Sequence, residues 1–222
     1  MHVIRQMERP NSEAVNNLSK YGTATIYEAM GRKGALESFI KPIGMGMKCC
    51  GVALTVYNHA CDNLMLHKAI EVAERGDVII AVTGEYTEAG IWGEIMTTAA
   101  QAKGIVGLVT DGSIRDSEAI RRLGFPTFCK GISIKGSVKE TPGTINEDVI
   151  CAGIIIKPGD IIIGDDDGVV VVPQEIGADT VLKCRKREKK EEAIIEQLKS
   201  GKTTLEIYHL KEVLKKKGVS ES

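Results

Sequence analysis

The stretch GEIMTTAAQAKGIVGLVTDGSIRD, residues 93–116, decides the fold predicted for this chain. Residues 91–103 are typical of a helix, which Gly104 ends, and residues 105–110 form a short apolar run typical of a buried strand. The polar loop DGSIRD then leads into a short helix over residues 117–123. Upstream, LMLHKAIEVAERGDVIIAVT (64–83) has the same order of helix, glycine and buried strand. This alternation predicts an α/β fold with some parallel strand pairing.

The N-terminal part adds helices and one further strand. Residues 12–21 have helical spacing, and a second helix is expected to begin with Thr23 as its N-cap and to stop at Gly31. The segment CCGVALTVY (49–57) is rich in residues that favour strands. These elements are expected to complete the first part of an α/β core.

After residue 126 the alternation of helix and strand ends, and the sequence predicts short strands separated by Gly and Pro. KPGDIIIGDDDGVVVVP (157–173) predicts a hairpin of two branched apolar runs around an Asp–Gly turn. A long charged helix is expected over residues 175–198 and a last helix over 204–217. We therefore expect a core over residues 1–173 and a helical arm over residues 174–222. The arm has only a narrow apolar stripe, so a neighbouring subunit is a candidate for the surface on which it packs.

Composition excludes several classes of protein. Of the 222 residues, 29 are basic and 30 acidic, and the net charge of −1 provides no electrostatic footprint for nucleic acid or an anionic membrane. The N-terminus has no apolar region of a signal peptide, and no apolar run approaches the roughly 18 residues that span a bilayer. The six cysteines show no C-x-x-C pair and are expected to be reduced thiols. A cytoplasmic location is therefore expected.

The densest group of polar residues combines GIWGEIM (90–96) with TDGSIRDSE (110–118). Two glycines at a helix start leave backbone N–H groups free for a small anion such as a carboxylate. Ligands of open α/β sheets favour loops beyond the carboxyl ends of strands, where Arg115 could contact a carboxylate or enolate oxygen and Asp116 a hard cation. A plain turn and a surface ion pair or helix cap would use the same residues, so spacing alone leaves both interpretations open.

Other candidate sites are weaker. GDDDGV (164–169) could bind a cation, but Asp and Gly also suit a solvated hairpin turn, which we favour. The four histidines lack metal-ligand spacing, and Cys129 has no obvious histidine partner. The charge run over residues 185–192 is expected to be a solvated helix face, although one of its carboxylates could reach a site. Arg32, Lys41 and Arg121 could bind a second carboxylate, with ordinary surface charge as the alternative.

On the motifs of residues 93–116, the chain resembles the class II pyruvate aldolases that act on 4-hydroxy-4-methyl-2-oxoglutarate and 4-carboxy-4-hydroxy-2-oxoadipate. These enzymes are grouped with the regulator of ribonuclease activity A proteins. The resemblance continues through GFPTFCKGIS, the Asp-rich hairpin and REKKEEAIIEQLKSGKTTLEIY, and it covers most of residues 21–208. It implies a ββα-type layered sandwich, similar to a swivelling domain, with a C-terminal helical arm. It also implies a homotrimer or homohexamer with sites between subunits.

The resemblance implies roles for the residues that would hold pyruvate. Backbone amides of Gly93, Glu94, Ile95 and Met96 would bind its carboxylate, and Arg115 would contact its ketone oxygen. Stabilising the enolate in this way would need no Schiff base.

It likewise implies a divalent metal cofactor, Mg²⁺ or Mn²⁺, ligated by Asp116 and largely by water. Glu94 would lie just outside the direct ligands. An acidic residue from the neighbouring subunit's arm would fall at Glu191 or Glu192, and the sequence does not decide between them.

The function that follows is a lyase that cleaves 4-hydroxy-2-oxo acids by a retro-aldol reaction and releases pyruvate. Because decarboxylation of oxaloacetate passes through the same enolate, we expect it as a side activity. Three alternatives remain: a protein that binds and inhibits a ribonuclease, a methyltransferase, and a lyase for another oxo acid. The first is disfavoured because such regulators are typically shorter and lack the arm, and the second because no glycine-rich loop has the required setting.

Overall fold

The computed structural model describes residues 2–219, so Met1 and the last three residues of the predicted arm lie outside the described residues. The strands are β1 (His2–Val3), β2 (Lys41–Pro42), β3 (Cys49–Tyr57), β4 (Asp77–Val82), β5 (Gly107–Ile114), β6 (Thr127–Ile132), β7 (Thr144–Ile145), β8 (Val149–Cys151), β9 (Ile154–Ile156), β10 (Ile161–Asp165) and β11 (Gly168–Val172). The helices are α1 (Ser12–Leu18), α2 (Thr23–Ala29), α3 (Leu64–Val72), α4 (Glu94–Lys103), α5 (Ser117–Leu123), α6 (Gly177–Lys199), α7 (Thr204–Ile207) and α8 (Leu210–Lys216), with a 3₁₀ turn at Gln174–Ile176 before α6.

Four parallel strands form the centre of the main sheet. Strand β3 pairs with β4, β4 with β5, and β5 with β6, all in parallel. All six residues of β4 and all eight of β5 are buried, as expected for strands covered on both faces. The predicted parallel pairing is therefore confirmed, and the carboxyl ends of these strands meet at one edge of the sheet.

The predicted hairpin is also present. Strands β10 and β11 are antiparallel, with Ile161 opposite Val172 and Asp165 opposite Gly168, and β10 continues the sheet beside β3. Gly164 lies against the ring of Phe128, because a Cβ there would come within 2.6 Å of that ring. The hairpin thus extends the sheet by close packing that only a residue without a side chain permits.

The core has three hydrophobic clusters. One includes Trp92 and Phe125 and a second includes Phe128 and Ile162, while the third lies between the hairpin and helices α1, α2 and α6. Sheet and helices thus form a layered α/β fold with a C-terminal helix, as predicted.

Several element boundaries differ from the prediction. Strand β5 continues to Ile114, so the first part of the expected DGSIRD loop is strand, and α4 begins at Glu94, three residues later than expected. Gly22, not Thr23, is the N-cap of α2. The last expected helix is divided into α7 and α8 at His209, whose φ of 55° is left-handed.

Helix α6 packs on the core only through its first half. Val181 and Cys184 are buried against the cluster under α1 and α2, whereas Leu182, Ile195 and Leu198 are exposed. Among residues 2–219, no helix is long and apolar enough to cross a membrane.

The cysteines provide a test of this packing. All six are free thiols, and Cys61 is only partly buried. Burial raises the thiol pKa to about 12 at Cys49, Cys50 and Cys129, to about 11 at Cys184, and also raises that of Cys151. Because the thiolate is the reactive form, we expect a disulfide reagent at pH 8 to modify about one thiol rapidly in the native protein. Denaturant should expose all six, and rapid native modification of several thiols would contradict the packing.

Candidate functional site

A cavity of about 270 Å³ lies at the carboxyl end of β5. Part of its lining comes from residues 90–93, from Ile95 and Met96 at the start of α4, and from Arg115 and Asp116. The other lining residues are Asn63 and His67, at the start of α3, together with Ser137 and Lys139. The cavity therefore lies where ligands of parallel sheets are expected.

Residues 90–92 are held in place by pairing with the end of β5. Gly90 forms a parallel bridge with Ser113, the N–H of Ile91 donates to the Ser113 carbonyl at 2.9 Å, and the N–H of Arg115 donates to the Trp92 carbonyl at 2.8 Å. A Cβ at Gly90 would come within 2.8 Å of Arg115 Cβ, so the two segments approach closely only with glycine. This pairing places the beginning of α4 next to Arg115 and Asp116.

Asp116 contacts both the start of α4 and the Arg115 side chain. Its φ of 54° is left-handed, a conformation that Asp tolerates better than most residues. Asp116 Oδ2 accepts a hydrogen bond from the Glu94 N–H at 3.2 Å and lies 3.5 Å from Arg115 Nε. Gly93 leaves the space for that carboxylate, since a Cβ there would overlap Asp116 Oδ2. The structure thus brings together Gly93, Glu94, Arg115 and Asp116.

The first turn of α4 supplies further polar groups. Ile95 and Met96 line the cavity, and the first amides of a helix have no partner within the helix. Glu94 has its N–H bonded to Asp116, and its carboxylate lies 3.3 Å from Arg122 Nη2 at the surface. The amides of Ile95 and Met96 are therefore the ones available for an anion.

An apolar surface backs the cavity. Trp92 lines it but is almost fully buried, and the indole N–H donates to Thr97 Oγ1 at 2.7 Å. Its ring stacks on Phe125 with the centroids 6.2 Å apart. These contacts hold the indole rigidly, so the wall keeps its shape and excludes water from that side.

Four other lining residues were not identified as site residues from the sequence. Asn63, His67, Ser137 and Lys139 all line the cavity. Burial, and secondarily the charge of Lys139, lowers the pKa of His67. No motif marks these residues, because Asn63 and His67 are far in sequence from Ser137 and Lys139, and the two pairs come together only through tertiary packing.

The donors at the site fit a hard, water-rich cation. Within residues 2–219, no group of three or more His, Cys, Asp or Glu side chains could hold a metal ion. Mg²⁺ commonly keeps several waters and binds through one or two carboxylates, and among the described residues that line the cavity Asp116 provides one. A closed site of the zinc type, with four protein ligands, does not fit.

The acidic arm residues lie elsewhere in this chain. Glu191 is half-buried on α6 and accepts from Arg187 Nε at 2.8 Å, whereas Glu192 is exposed. Neither lines the cavity of its own chain. The expectation that one of them reaches a neighbouring subunit's site stays a prediction.

The Asp-rich hairpin turn has a structural role. Asp165 accepts from the Thr23 N–H at 2.8 Å, from the Thr23 hydroxyl at 2.6 Å and from the Asp167 N–H at 3.0 Å. The carboxylate therefore joins the turn to the start of α2. This supports the interpretation of GDDDGV as a turn.

Comparison with known proteins adds the family context. A family model described as RraA-like, aldolase/RraA, matches residues 23–171. A protein of Halalkalibacterium halodurans with the provisional name 4-hydroxy-4-methyl-2-oxoglutarate aldolase is 37% identical over 188 residues, which cover 84% of this chain and 89% of that protein.

Solved structures share the fold. An uncharacterised protein of Pseudomonas syringae pv. tomato superposes with a TM-score of 0.80 at 30% identity, covering 89% of this chain and 97% of the other. RraAS2 of Streptomyces coelicolor, described as an unusual member of the RNase ES inhibitor RraA protein family, superposes with a TM-score of 0.74 at 27% identity, covering 85% and 100%.

Proposed function

Because this chain belongs to the RraA-like family of aldolase and RraA proteins, we propose that it is a metal-dependent lyase that releases pyruvate from 4-hydroxy-2-oxo acids. The observation that carries the proposal is the convergence of Arg115, Asp116 and the first turn of α4 on one cavity. A cation, a carboxylate and free backbone amides in one place suit an oxo acid, whose carboxylate and ketone oxygens need positive partners.

The proposed substrates are 4-hydroxy-4-methyl-2-oxoglutarate and 4-carboxy-4-hydroxy-2-oxoadipate. In this reaction the C3–C4 bond breaks, and its electron pair passes into the enolate of pyruvate. The C4 hydroxyl loses its proton and becomes a carbonyl, and protonation of the enolate carbon completes pyruvate. Loss of CO₂ from oxaloacetate produces the same enolate, so we propose oxaloacetate decarboxylation as a second activity.

The chain's own residues would act through position and charge. The amides of Ile95 and Met96 bind the pyruvyl carboxylate, and the Arg115 guanidinium donates to the oxygen on which the enolate charge develops. Asp116, with water, would hold Mg²⁺ or Mn²⁺, and the chemistry that a bound cation supplies there is Lewis acidity. The rigid indole of Trp92 excludes water behind the substrate.

We further propose that the assembly is a homotrimer or homohexamer in which the α6 arm contacts a neighbouring subunit. Exposed Leu182, Ile195 and Leu198 on α6 support this, because a second copy would cover them. The arm would then carry Glu191 or Glu192 towards the neighbouring subunit's cavity.

The experiment that tests the lyase is pyruvate release followed with lactate dehydrogenase, with Mg²⁺ or with EDTA. The substrates are 4-hydroxy-4-methyl-2-oxoglutarate, 4-carboxy-4-hydroxy-2-oxoadipate and oxaloacetate. We expect Mg²⁺-dependent release from at least one of the hydroxy acids. No release from any of the three, with the oligomer intact, would contradict the proposal.

The second candidate is a regulator that binds and inhibits a ribonuclease. The structural likeness to RraAS2 favours it. The test adds an equimolar amount of this protein to an RNase E-type enzyme that is cleaving a reporter RNA. Inhibition without pyruvate release would favour the regulator, whereas pyruvate release without inhibition would favour the lyase.

A further inference from the structure

We propose that Arg122 is a positioning residue that holds the Glu94 carboxylate away from the cation that Asp116 would bind. Arg122 would thereby keep coordination positions of that cation open to water and substrate. This inference rests on the proposed function, because it concerns the same cation. It assigns a role to a side chain of α5 that takes no part in the proposed chemistry and that lies beside the start of α4.

The backbone of Glu94 lies close to the Asp116 carboxylate. Its N–H donates to Asp116 Oδ2 at 3.2 Å, and Glu94 is the first residue of α4. A glutamate side chain is long and has much rotamer freedom unless a contact fixes it. From this position its carboxylate could therefore turn towards a cation at Asp116 or away from it, and a third group has to decide the direction.

Arg122 fixes that direction. Its Nη2 donates to Glu94 Oε1 at 3.3 Å, and the pair lies at the surface, with the Glu94 side chain 48% and the Arg122 side chain 68% exposed. Residues 93, 95 and 96 line the cavity, but Glu94 does not. Among the described residues, Asp116 is thus the one carboxylate in the cavity lining, and the Glu94 carboxylate is engaged outside it.

Arg122 pairs with Glu94 although another acidic residue is closer in sequence. Glu118 lies four residues before Arg122 on α5, a spacing at which helical side chains of opposite charge commonly pair. The ion pair that Arg122 forms is nevertheless with Glu94, across the two helices. Two turns further along α4, Gln101 Nε2 donates to the Leu123 carbonyl of α5 at 2.9 Å. This second link holds α4 and α5 side by side, so Arg122 stays within reach of Glu94.

The direction of the Glu94 carboxylate decides how much of the cation's coordination shell remains open. Mg²⁺ demands octahedral geometry and is commonly bound by one or two carboxylates, with water at the other positions. A second direct carboxylate would hold the cation more tightly, but it would occupy a position that a substrate oxygen needs. Because an exposed ion pair contributes little to stability, we expect Arg122 to affect cation binding and not the fold.

The test measures cation binding and so does not depend on turnover. Mn²⁺ is the probe, because electron paramagnetic resonance measures free Mn²⁺ directly. We would titrate the full-length protein, after EDTA treatment and removal of the chelator, as wild type, Arg122→Met, Glu94→Gln and the double variant. Relaxation of water protons by the bound Mn²⁺ reports how many waters the cation retains.

We expect Arg122→Met to bind Mn²⁺ about 5- to 10-fold more tightly than the wild type, a coupling of the size found between charged groups of one network. The bound Mn²⁺ should retain fewer waters, because the Glu94 carboxylate replaces one. In the Glu94→Gln background, Arg122→Met should change the affinity by less than about 2-fold, as for an exposed charge. Lys103→Met is the matched control, because it removes a positive charge from the other end of α4, where the ammonium group donates to the Glu71 carbonyl.

Equal tightening in both backgrounds would overturn the inference, because the effect would then come from the removed charge and not from Glu94. No tightening in Arg122→Met, or the same tightening in Lys103→Met, would overturn it as well. A wild type that binds no Mn²⁺ would overturn it together with the metal dependence of the proposed function. Coupling between Arg122 and Glu94 without pyruvate release from the hydroxy acids would contradict the lyase and leave the positioning role supported.

Discussion

Arg115→Ala is expected to lower pyruvate release by about 10²- to 10³-fold, because removing one preorganised donor from a developing oxyanion typically has an effect of this size. The guanidinium interacts most strongly with the oxygen when the enolate charge develops in the transition state. The loss should therefore appear in kcat as well as in kcat/KM. The Arg115 side chain is 46% exposed, and its backbone N–H to Trp92 does not depend on the side chain. Steady-state rates with 4-hydroxy-4-methyl-2-oxoglutarate measure the effect.

The fold of this variant should be intact, with a melting temperature within a few degrees of the wild type. Arg5→Ala is the matched control, because Arg5 forms an exposed ion pair with Glu71 and is not among the residues that line the cavity. That control should retain wild-type rates. A near-normal rate in Arg115→Ala would remove the residue from the mechanism.

Gly93→Ala is the second substitution with a large expected effect. The φ of Gly93 is −155°, which alanine adopts without strain, so the backbone itself tolerates the change. The added methyl group, however, would overlap Asp116 Oδ2 and lie 3.2 Å from Arg115 Cγ. We expect Asp116 and Arg115 to be displaced by a few tenths of an ångström or more, and pyruvate release to fall by about 10²-fold.

A second glycine substitution shows whether the loss of activity in Gly93→Ala comes from the displaced Asp116 or from a general loss of stability. In Gly22→Ala the added Cβ would meet Asp165 Oδ2 at 3.7 Å, an ordinary contact. Rates of pyruvate release and melting temperatures should be compared for both variants. If Gly93→Ala keeps its activity, or if Gly22→Ala loses as much, the close packing of Gly93 on Asp116 does not matter for function.

Much of the fold follows from local sequence patterns. The alternation of amphipathic helices with buried apolar runs predicted the parallel strands β4 and β5, and the Asp–Gly turn predicted the β10–β11 hairpin. These predictions succeeded because periodicity and turn chemistry are local properties of the chain. The end of β5 was missed, because its residues 111–113 are not apolar and join the sheet by pairing with β6, with a further bridge from Ser113 to Gly90.

Only some residues of the candidate site could be predicted from the sequence. Gly93, Arg115 and Asp116 follow a helix start or the end of a strand, where parallel topology brings such residues together. Asn63 and Lys139 were missed, because their proximity to these residues depends on the hydrogen bonds that Asp62 and Asn63 make across the fold. The surface that the α6 arm is proposed to contact could not be predicted, because the sequence shows only a narrow stripe of apolar residues on that helix.

The proposed role of Asp116 in a metal-dependent release of pyruvate is tested by the rate of that release as Mg²⁺ is titrated after EDTA treatment. Asp116→Asn is the variant to compare, because asparagine tolerates the left-handed conformation at this position but lacks the charge. We predict that Mg²⁺ restores the wild-type rate and that the variant stays at least about 10²-fold slower at saturating Mg²⁺. Release that is insensitive to EDTA would contradict the metal dependence, and a variant that matches the wild type would contradict the role of Asp116.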